Sequence, residues 1–253
     1  MPCVAAFLAS MLTFFSGFGL GTILLPVFAL VVPIQDAILL TAIVHMLNNV
    51  FKLFLIGKQV MFDLALKFAL FAIPASFLGS FLLNEIGDAE VLHQYMLNGE
   101  VHTISAVNLI VGLLMLVFAA FEVVPKLKSL QFSLKWMPLG GILSGFFGGM
   151  SGHQGALRSA FLVRAGLSKE AFIATGVLIA VAIDATRIPY YLYSLNMSSQ
   201  TGNSLLWMLP ALCGFAGAFI GNKLLRKVTF ASLQVIVAIL LSVIALLLMA
   251  GII

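Results

Sequence analysis

Charge is what this sequence has least of. Only 9% of its 253 residues are charged, 13 Lys and Arg against 9 Asp and Glu, where a soluble domain carries about 25%. So few charges cannot cover a water-facing surface. With 62% hydrophobic residues, lipid is the solvent that fits, because apolar side chains facing it carry no penalty. Cysteine is scarce too. Cys3 and Cys213 lie far apart inside apolar runs, which excludes a disulfide framework and a metal-ligand spacing and leaves two small hydrophobes. No Lys or Arg precedes residue 52, so the basic start of a secretory signal is missing and MPCVAAFLASMLTFF reads as part of the mature fold. The chain has no HExxH, GxSxG or Walker A run, so we expect no enzyme, no ATP hydrolysis and no cofactor. The net charge of +4 comes without an aromatic–basic cluster. It reads as the Lys/Arg excess of cytoplasmic loops rather than as nucleic-acid binding.

What is present is eight apolar stretches, at about 4–32, 37–57, 64–83, 104–124, 137–163, 171–194, 205–222 and 229–253. Six suit a single crossing of about 20 residues, while the first and fifth are too long at roughly 27 to 29. Each of these two is broken by glycine, at Ser16-Gly17-Phe18-Gly19-Leu20-Gly21 and at Gly148-Gly149-Met150-Ser151-Gly152-His153-Gln154-Gly155. Aligning Gly21 with Gly155 sets an offset of 134, at which Asp36 meets Glu170, Ala37 meets Ala171 and Thr41 meets Thr175. Pro74 and Pro210 correspond after a two-residue gap. Together with the shared four-stretch layout, this argues for an internal duplication, a common transporter architecture.

Loop charges set the orientation. The linker PKLKSLQFSLK, with Lys126, Lys128 and Lys135, and the loop after the second stretch, with Lys52 and Lys58, belong in the cytoplasm. The acidic loop NEIGDAEVLHQYMLNGEVHT has no Lys or Arg and belongs outside. Eight full spans would then put Arg164, Lys169, Lys223, Arg226 and Lys227 outside, against the charge rule. The conflict vanishes if the fifth stretch enters and leaves on the cytoplasmic side as a re-entrant hairpin with its glycines at the tip, and the first does likewise from outside. We therefore expect an all-α integral membrane protein of two inverted four-segment repeats, each a glycine-broken hairpin plus three transmembrane helices, with eight full spans as the alternative. The repeats are 1–124 and 137–253, joined by a cytoplasmic linker at 125–136.

Broken backbone within a bilayer is tolerated only where it is buried in protein or lines a wet cavity, so the breaks point to a site. Glycine lets a ligand approach the backbone, and a half-helix starting after each break aims free N–H groups and partial positive charge at it. Close packing through small residues is the competing use of these glycines. Candidate anion contacts are Gly17, Gly19, Gly21, Ser151, Gly152, His153, Gln154 and Gly155 in the breaks, Arg158 just beyond the second, and Asn48 and Asn49 in the second stretch. In the sixth stretch Asp184 and Arg187 share a helix face three residues apart. Arg187 is a candidate anion contact or a snorkelling residue, and Asp184 and His45 are proton-coupling candidates; intramembrane ionisable residues of this kind are rare and tend to be functional. A structural ion pair is the plain alternative. Tyr190, Tyr191 and Tyr193 read as an interfacial belt, and Lys52, Lys67 and Glu122 as residues snorkelling from stretch ends.

SGFGLGTILLP followed by DAILLTAIVHMLNN, and GFFGGMSGHQGALRSAFLV followed by EAFIATGVLIAVAIDATRIPYYL, resemble the TauE/SafE family of sulfite-exporter-like membrane proteins, also called the 4-toluene sulfonate uptake permease family. The resemblance covers nearly the whole chain. It implies a secondary transporter of small anions such as sulfite, sulfoacetate or other sulfonates, usually in a bacterial inner membrane. The departures fall at the breaks: GFGLG where many relatives have a fuller glycine run, Ser-Gly-His-Gln-Gly in the second half, and Ala160 where the first half has Pro26.

The expected partners are a small anion, the lipid bilayer and a coupling proton or ion, with no nucleic acid; a homo-oligomer is compatible with the long apolar last stretch. The rivals are a passive anion channel, a subunit of a larger assembly, and an intramembrane enzyme built on His45, His153 and Asp184. The hairpin reading has a direct test. A single cysteine placed between Lys223 and Lys227 should react with a membrane-impermeant maleimide only from the cytoplasmic side; reaction from outside supports eight spans.

Overall fold

The computed structural model describes residues 1–16, 19–87, 91–194, 204–224 and 231–253. The first long stretch gives α1 (Pro2–Ser16) and α2 (Leu20–Ala29). After Pro33, whose fixed φ suits a helix start, come α3 (Ile34–Ile56) and α4 (Phe62–Gly87). A hairpin of β1 (Val91–Leu97) and β2 (Glu100–Ser105) leads into α5 (Ala106–Val123), capped by Ser105 Oγ accepting from Asn108 N–H at 3.2 Å. A single turn, α6 (Pro125–Lys128), opens the linker. The second half comprises α7 (Met137–Ser151), α8 (Gly155–Leu162), α9 (Lys169–Ser194), α10 (Leu205–Leu224) and α11 (Ala231–Met249). Ser168 starts α9 by accepting from Ala171 N–H at 3.2 Å.

The chain is a multi-pass, helical membrane protein. Helices α3, α4, α5, α9 and α10 are each long and apolar enough to cross a bilayer. The outward stripe of α4, Leu66, Leu70, Ile73 and Phe77, is exposed and recurs at helical spacing, as a lipid-facing surface requires.

The glycine-broken stretches do not cross as single rods. At 1.5 Å per residue, α1 and α7 reach only about 22 Å and α8 about 12 Å, against about 30 Å of hydrocarbon. α7 and α8 lie antiparallel. A Cβ at Gly140, near the start of α7, would stand 2.5 Å from the Phe161 ring near the end of α8; one at Gly148 would stand 2.9 Å from Gln154 Cβ. Phe132 N–H, ahead of α7, donates to Ala160 O at 3.0 Å. The turn is made at Gly152, whose φ of 81° suits glycine, with its N–H on Gly148 O at 3.0 Å. In the first half Gly19 starts α2 at φ 114°, and α1 packs on α2; Gly17 lies outside the described residues.

Each broken helix packs on a helix of the other half. α7 runs parallel to α4, with Gly141, Gly145 and Gly149 one turn apart against Phe68, Ala72 and Ser76; a Cβ at Gly145 would meet Ala72 O at 2.2 Å and one at Gly149 Ser76 O at 2.1 Å. α1 runs parallel to α10, with Gly217 and Gly221 against Phe7 and Met11. Backbone touches backbone, the small-residue packing that lipid-embedded helices favour. α3 and α9 pack on each other at the centre; α4 also packs on α9, α10 on α3, and α5 on α11.

The polar loop between α4 and α5 folds, where the sequence reading left it without structure. Tyr95 pairs with His102 and Leu97 with Glu100. Asn98 and Gly99 turn the chain at φ 53° and 87°, the positive values of a two-residue hairpin turn. Tyr95 O–H donates to Ala250 O at 2.7 Å and so ties the hairpin to the end of α11.

The glycine contacts predict a mutational asymmetry. Gly145→Ala should lower the stability of the detergent-purified protein by about 1–3 kcal/mol through overpacking. Gly57→Ala, whose Cβ would lie 3.8 Å from its nearest neighbour, should stay within about 0.5 kcal/mol. Thermal unfolding of both variants checks the difference.

Candidate functional site

Two helix faces supply the polar centre. On α3, His45, Asn48, Asn49 and Lys52 fall at i, i+3, i+4 and i+7, one side of the helix; on α9, Asp184, Arg187 and Tyr191 do the same. All seven are buried. Asp184 joins three elements. Its Oδ2 accepts from His45 Nδ1 at 2.6 Å, and its Oδ1 from Arg187 Nε at 2.9 Å and from Gln154 Nε2, in the second break, at 3.3 Å. Arg187 Nη2 stands 2.8 Å from the same Oδ1. Asn49 Nδ2 lies 3.2 Å from each ring nitrogen of His45.

The second break is pinned on all sides. Gln154 Oε1 accepts from Arg158 Nη1 at 3.1 Å, and its carbonyl accepts from Ser144 Oγ at 2.9 Å. Tyr191 O–H donates to Gly149 O. Gly152 packs against the edge of the Arg187 guanidinium, whose Nη1 would be 3.2 Å from an added Cβ, and Gly176 on α9 makes room for Arg158, at 3.3 Å from Nε. The two breaks touch: a Cβ at Gly21 would lie 3.3 Å from Gly152 O.

Between them is a small polar cavity. The first turn of α2 lines it with Gly19, Leu20, Gly21 and Thr22, and the start of α8 with Gly152, Gln154 and Gly155. Thr13, His45, Asn49, Lys52, Arg158 and Val177 complete the wall. It offers about 20 Å³ to the centres of water molecules, room for one or two waters. Two helix N-termini and two cations face it, and no carboxylate does among the described residues.

A sequence model of the family described as "Sulfite exporter TauE/SafE" matches residues 3–248. The chain belongs to the TauE/SafE family. This is a membrane transporter family and not an enzyme family, and membership makes the chain an exporter-like transporter protein with a small anion as its substrate. No curated protein and no solved structure matches the chain.

On this TauE/SafE chain the residues singled out from sequence divide into three groups. Gly19, Gly21, His45, Asn49, Gly152, Gln154, Gly155 and Arg158 line the cavity. Asp184 and Arg187 lie behind it, the carboxylate reaching the wall through His45 and Gln154. Asn48, Ser151 and His153 face elsewhere. Asn48 joins α3 to α1 and α10, with its amide nitrogen 3.1 Å from Gly214 O and its oxygen 3.3 Å from Lys52 Nζ. Ser151 Oγ donates to Phe147 O at 3.2 Å. His153 bonds Ser151 Oγ through Nδ1 at 3.1 Å and stacks on Phe118 of α5 at 5.1 Å between centroids.

Three expectations are corrected. Lys52 does not snorkel: it is 2% exposed and donates to Thr13 Oγ1 at 2.5 Å, because α1 and α10 cover that face of α3. Arg187 does not snorkel either, being 1% exposed and held by Asp184. Tyr191 leaves the interfacial belt for the core, bonded to the α7 backbone, while Tyr193 is 91% exposed. Thr13, Thr22 and Lys52 are site residues that sequence reasoning missed. Only the i+7 spacing of Lys52 from His45 could have flagged it.

The Asp184 hub yields a stability prediction. Asp184→Ala would leave the buried Arg187 guanidinium without its counter-charge and should cost about 3–5 kcal/mol. The double variant Asp184→Ala/Arg187→Met should lose clearly less than the sum of the single losses. Thermal unfolding in detergent of the three variants measures the coupling.

Proposed function

We propose that the protein is a secondary transporter that binds a small anion in the cavity between the two helix breaks and carries it by alternating access. The observation that supports this best is the wall of that cavity. It combines Lys52 and Arg158 with the amide-rich first turns of α2 and α8, and such N-termini favour negative charge. The anion-binding groups are then Gly19, Gly21, Gly152 and Gly155 through backbone, Asn49 and Gln154 through side-chain amides, and Arg158 and Lys52 through charge. Arg187 acts one layer back by setting the charge of Asp184. Sulfite is the substrate the family description suggests, and small sulfonates are those the sequence resemblance implies.

The halves 1–124 and 137–253, joined by a cytoplasmic linker at 125–136, form an inverted repeat in this reading. The pairing of α1 with α10 and of α4 with α7, and of α10 with α3 and α4 with α9, is what exchange of two equivalent halves would produce. The α7–α8 hairpin, whose two ends lie beside one another, suits a re-entrant segment entering from the cytoplasm, and α1–α2 is its counterpart from outside. Alternating access then comes from movement of one half against the other around the fixed site. The membrane is the inner, plasma membrane.

Coupling to a proton runs through His45. A proton on Nε2 would displace the Asn49 N–H bond and require the amide to turn its oxygen inward, which changes a group on the cavity wall while Asp184 holds the imidazolium. A protonation event is thus transmitted to the anion site over one hydrogen bond. The protein works as a monomer or as a homo-oligomer in this scheme, since the cavity is built from one chain.

Proteoliposome flux tests the reading. Sulfite uptake should respond to an imposed pH gradient, Arg158→Gln should reduce it by at least about tenfold, and His45→Gln should abolish the response to the gradient while leaving exchange at zero gradient. Downhill flux indifferent to the gradient in the unaltered protein would indicate a channel instead.

A further inference from the structure

Cys3 and Cys213 stand 210 positions apart in the chain and read from composition as two unrelated small hydrophobes. The fold brings them together. α1 and α10 run parallel with their backbones in contact: a Cβ at Gly217 would collide with Phe7 O, and one at Gly221 would stand 2.6 Å from Met11 O. Each of these pairs is also 210 positions apart. Phe7 and Met11 follow Cys3 at i+4 and i+8, and Gly217 and Gly221 follow Cys213 in the same way. The two cysteines are therefore the next pair along one seam. A Cβ at Gly214, one residue on, would lie 4.0 Å from Ala6 O, so the helices are still close at that level. The thiols meet, with the side chain of Cys213 hydrogen-bonding that of Cys3. Both are free and half-buried.

Glycine at 217 and 221 removes the side chains that would hold the helix axes at the usual spacing of about 8–10 Å. That lets facing Cα atoms approach the roughly 4.4–6.8 Å that a disulfide spans. Neither cysteine lines the central cavity, so anion binding leaves both unused. α1 belongs to the first half of the chain and α10 to the second, and a bond at this seam would join the halves.

We propose that Cys3 and Cys213 form a reversible disulfide that ties the two halves together and arrests transport, with hydrogen peroxide as the oxidant. The Cys3 thiolate attacks one peroxide oxygen, the O–O bond breaks, one water leaves and Cys3 becomes a sulfenic acid. The Cys213 sulfur then attacks the Cys3 sulfur. An S–S bond forms and the sulfenic oxygen departs as a second water. The sulfur pair gives up two electrons to one peroxide, and both thiol protons end in the waters. A dithiol reverses the bond by exchange. In the orientation proposed above, both cysteines lie toward the outer face, the side where disulfides persist. The arrest rests on the proposed movement of one half against the other; the bond itself does not.

The test treats the full chain in proteoliposomes with hydrogen peroxide, blocks remaining thiols with N-ethylmaleimide, and maps linked peptides by mass spectrometry before and after sulfite flux is measured. The second map is needed because sulfite cleaves accessible disulfides. A Cys3–Cys213 linkage within one chain should appear, flux should fall in proportion to the fraction of chains linked, and dithiothreitol should restore it. Cys3→Ser and Cys213→Ser should each keep their flux under peroxide. This separates the disulfide from methionine oxidation, which dithiothreitol does not reverse. Should either variant fail to fold, the linked peptides and the dithiothreitol reversal in the unaltered chain carry the test. No linkage, or linkage only between chains, overturns the pairing. A Cys3–Cys213 bond with unchanged flux overturns the arrest and leaves transport standing, with α1 and α10 moving as one body. No sulfite flux in the reduced protein overturns the transport reading and the arrest with it, while the peptide map still decides the bond.

Discussion

Asp184 accepts hydrogen bonds from a helix of the first half, from its own helix and from the break that ends α7. In a hydrocarbon surrounding, water cannot take the place of any of these partners, so the carboxylate fixes where all three elements meet. Its position decides that His45 presents Nδ1–H, that Gln154 turns its side-chain oxygen toward Arg158, and that the edge of the Arg187 guanidinium meets Gly152. The cavity is what these arrangements leave between them.

The glycines divide their work by location. Gly141, Gly145 and Gly149 bring the α7 backbone onto that of α4, and Gly217 and Gly221 do so for α10 on α1. A few residues further along, Gly152 turns the chain and Gly21 lets the two breaks touch. Packing and binding are therefore consecutive uses of one glycine-rich run. The close packing of the first part holds the second part beside Lys52 and Arg158 on the cavity wall.

The helices and breaks were legible because both follow from local chemistry. An apolar run near 20 residues reads as a crossing, a longer one interrupted by glycine reads as broken, and α7, Gly152 and α8 have that form. The Asn98-Gly99 hairpin was legible as well and was passed over, its turn signal hidden in a polar loop of a chain otherwise made of apolar helices. The burial of Lys52 and Tyr191 was not legible. Both stand near the ends of apolar stretches, where a long or amphipathic side chain can reach the interface, and only the helices packed across them, α1 for Lys52 and α7 for Tyr191, close off that route.

Composition and periodicity by themselves determined that this chain lives in lipid, that its backbone breaks twice, and that the breaks carry polar residues out of keeping with their surroundings. These are properties of short segments, set by transfer energies and by the conformational freedom of glycine. Which polar residues face one another was decided by tertiary structure alone. Asp184 and His45 are 139 positions apart, and Lys52 and Arg158 more than a hundred. Their approach depends on how helices from the two halves pack, through contacts that no local pattern encodes.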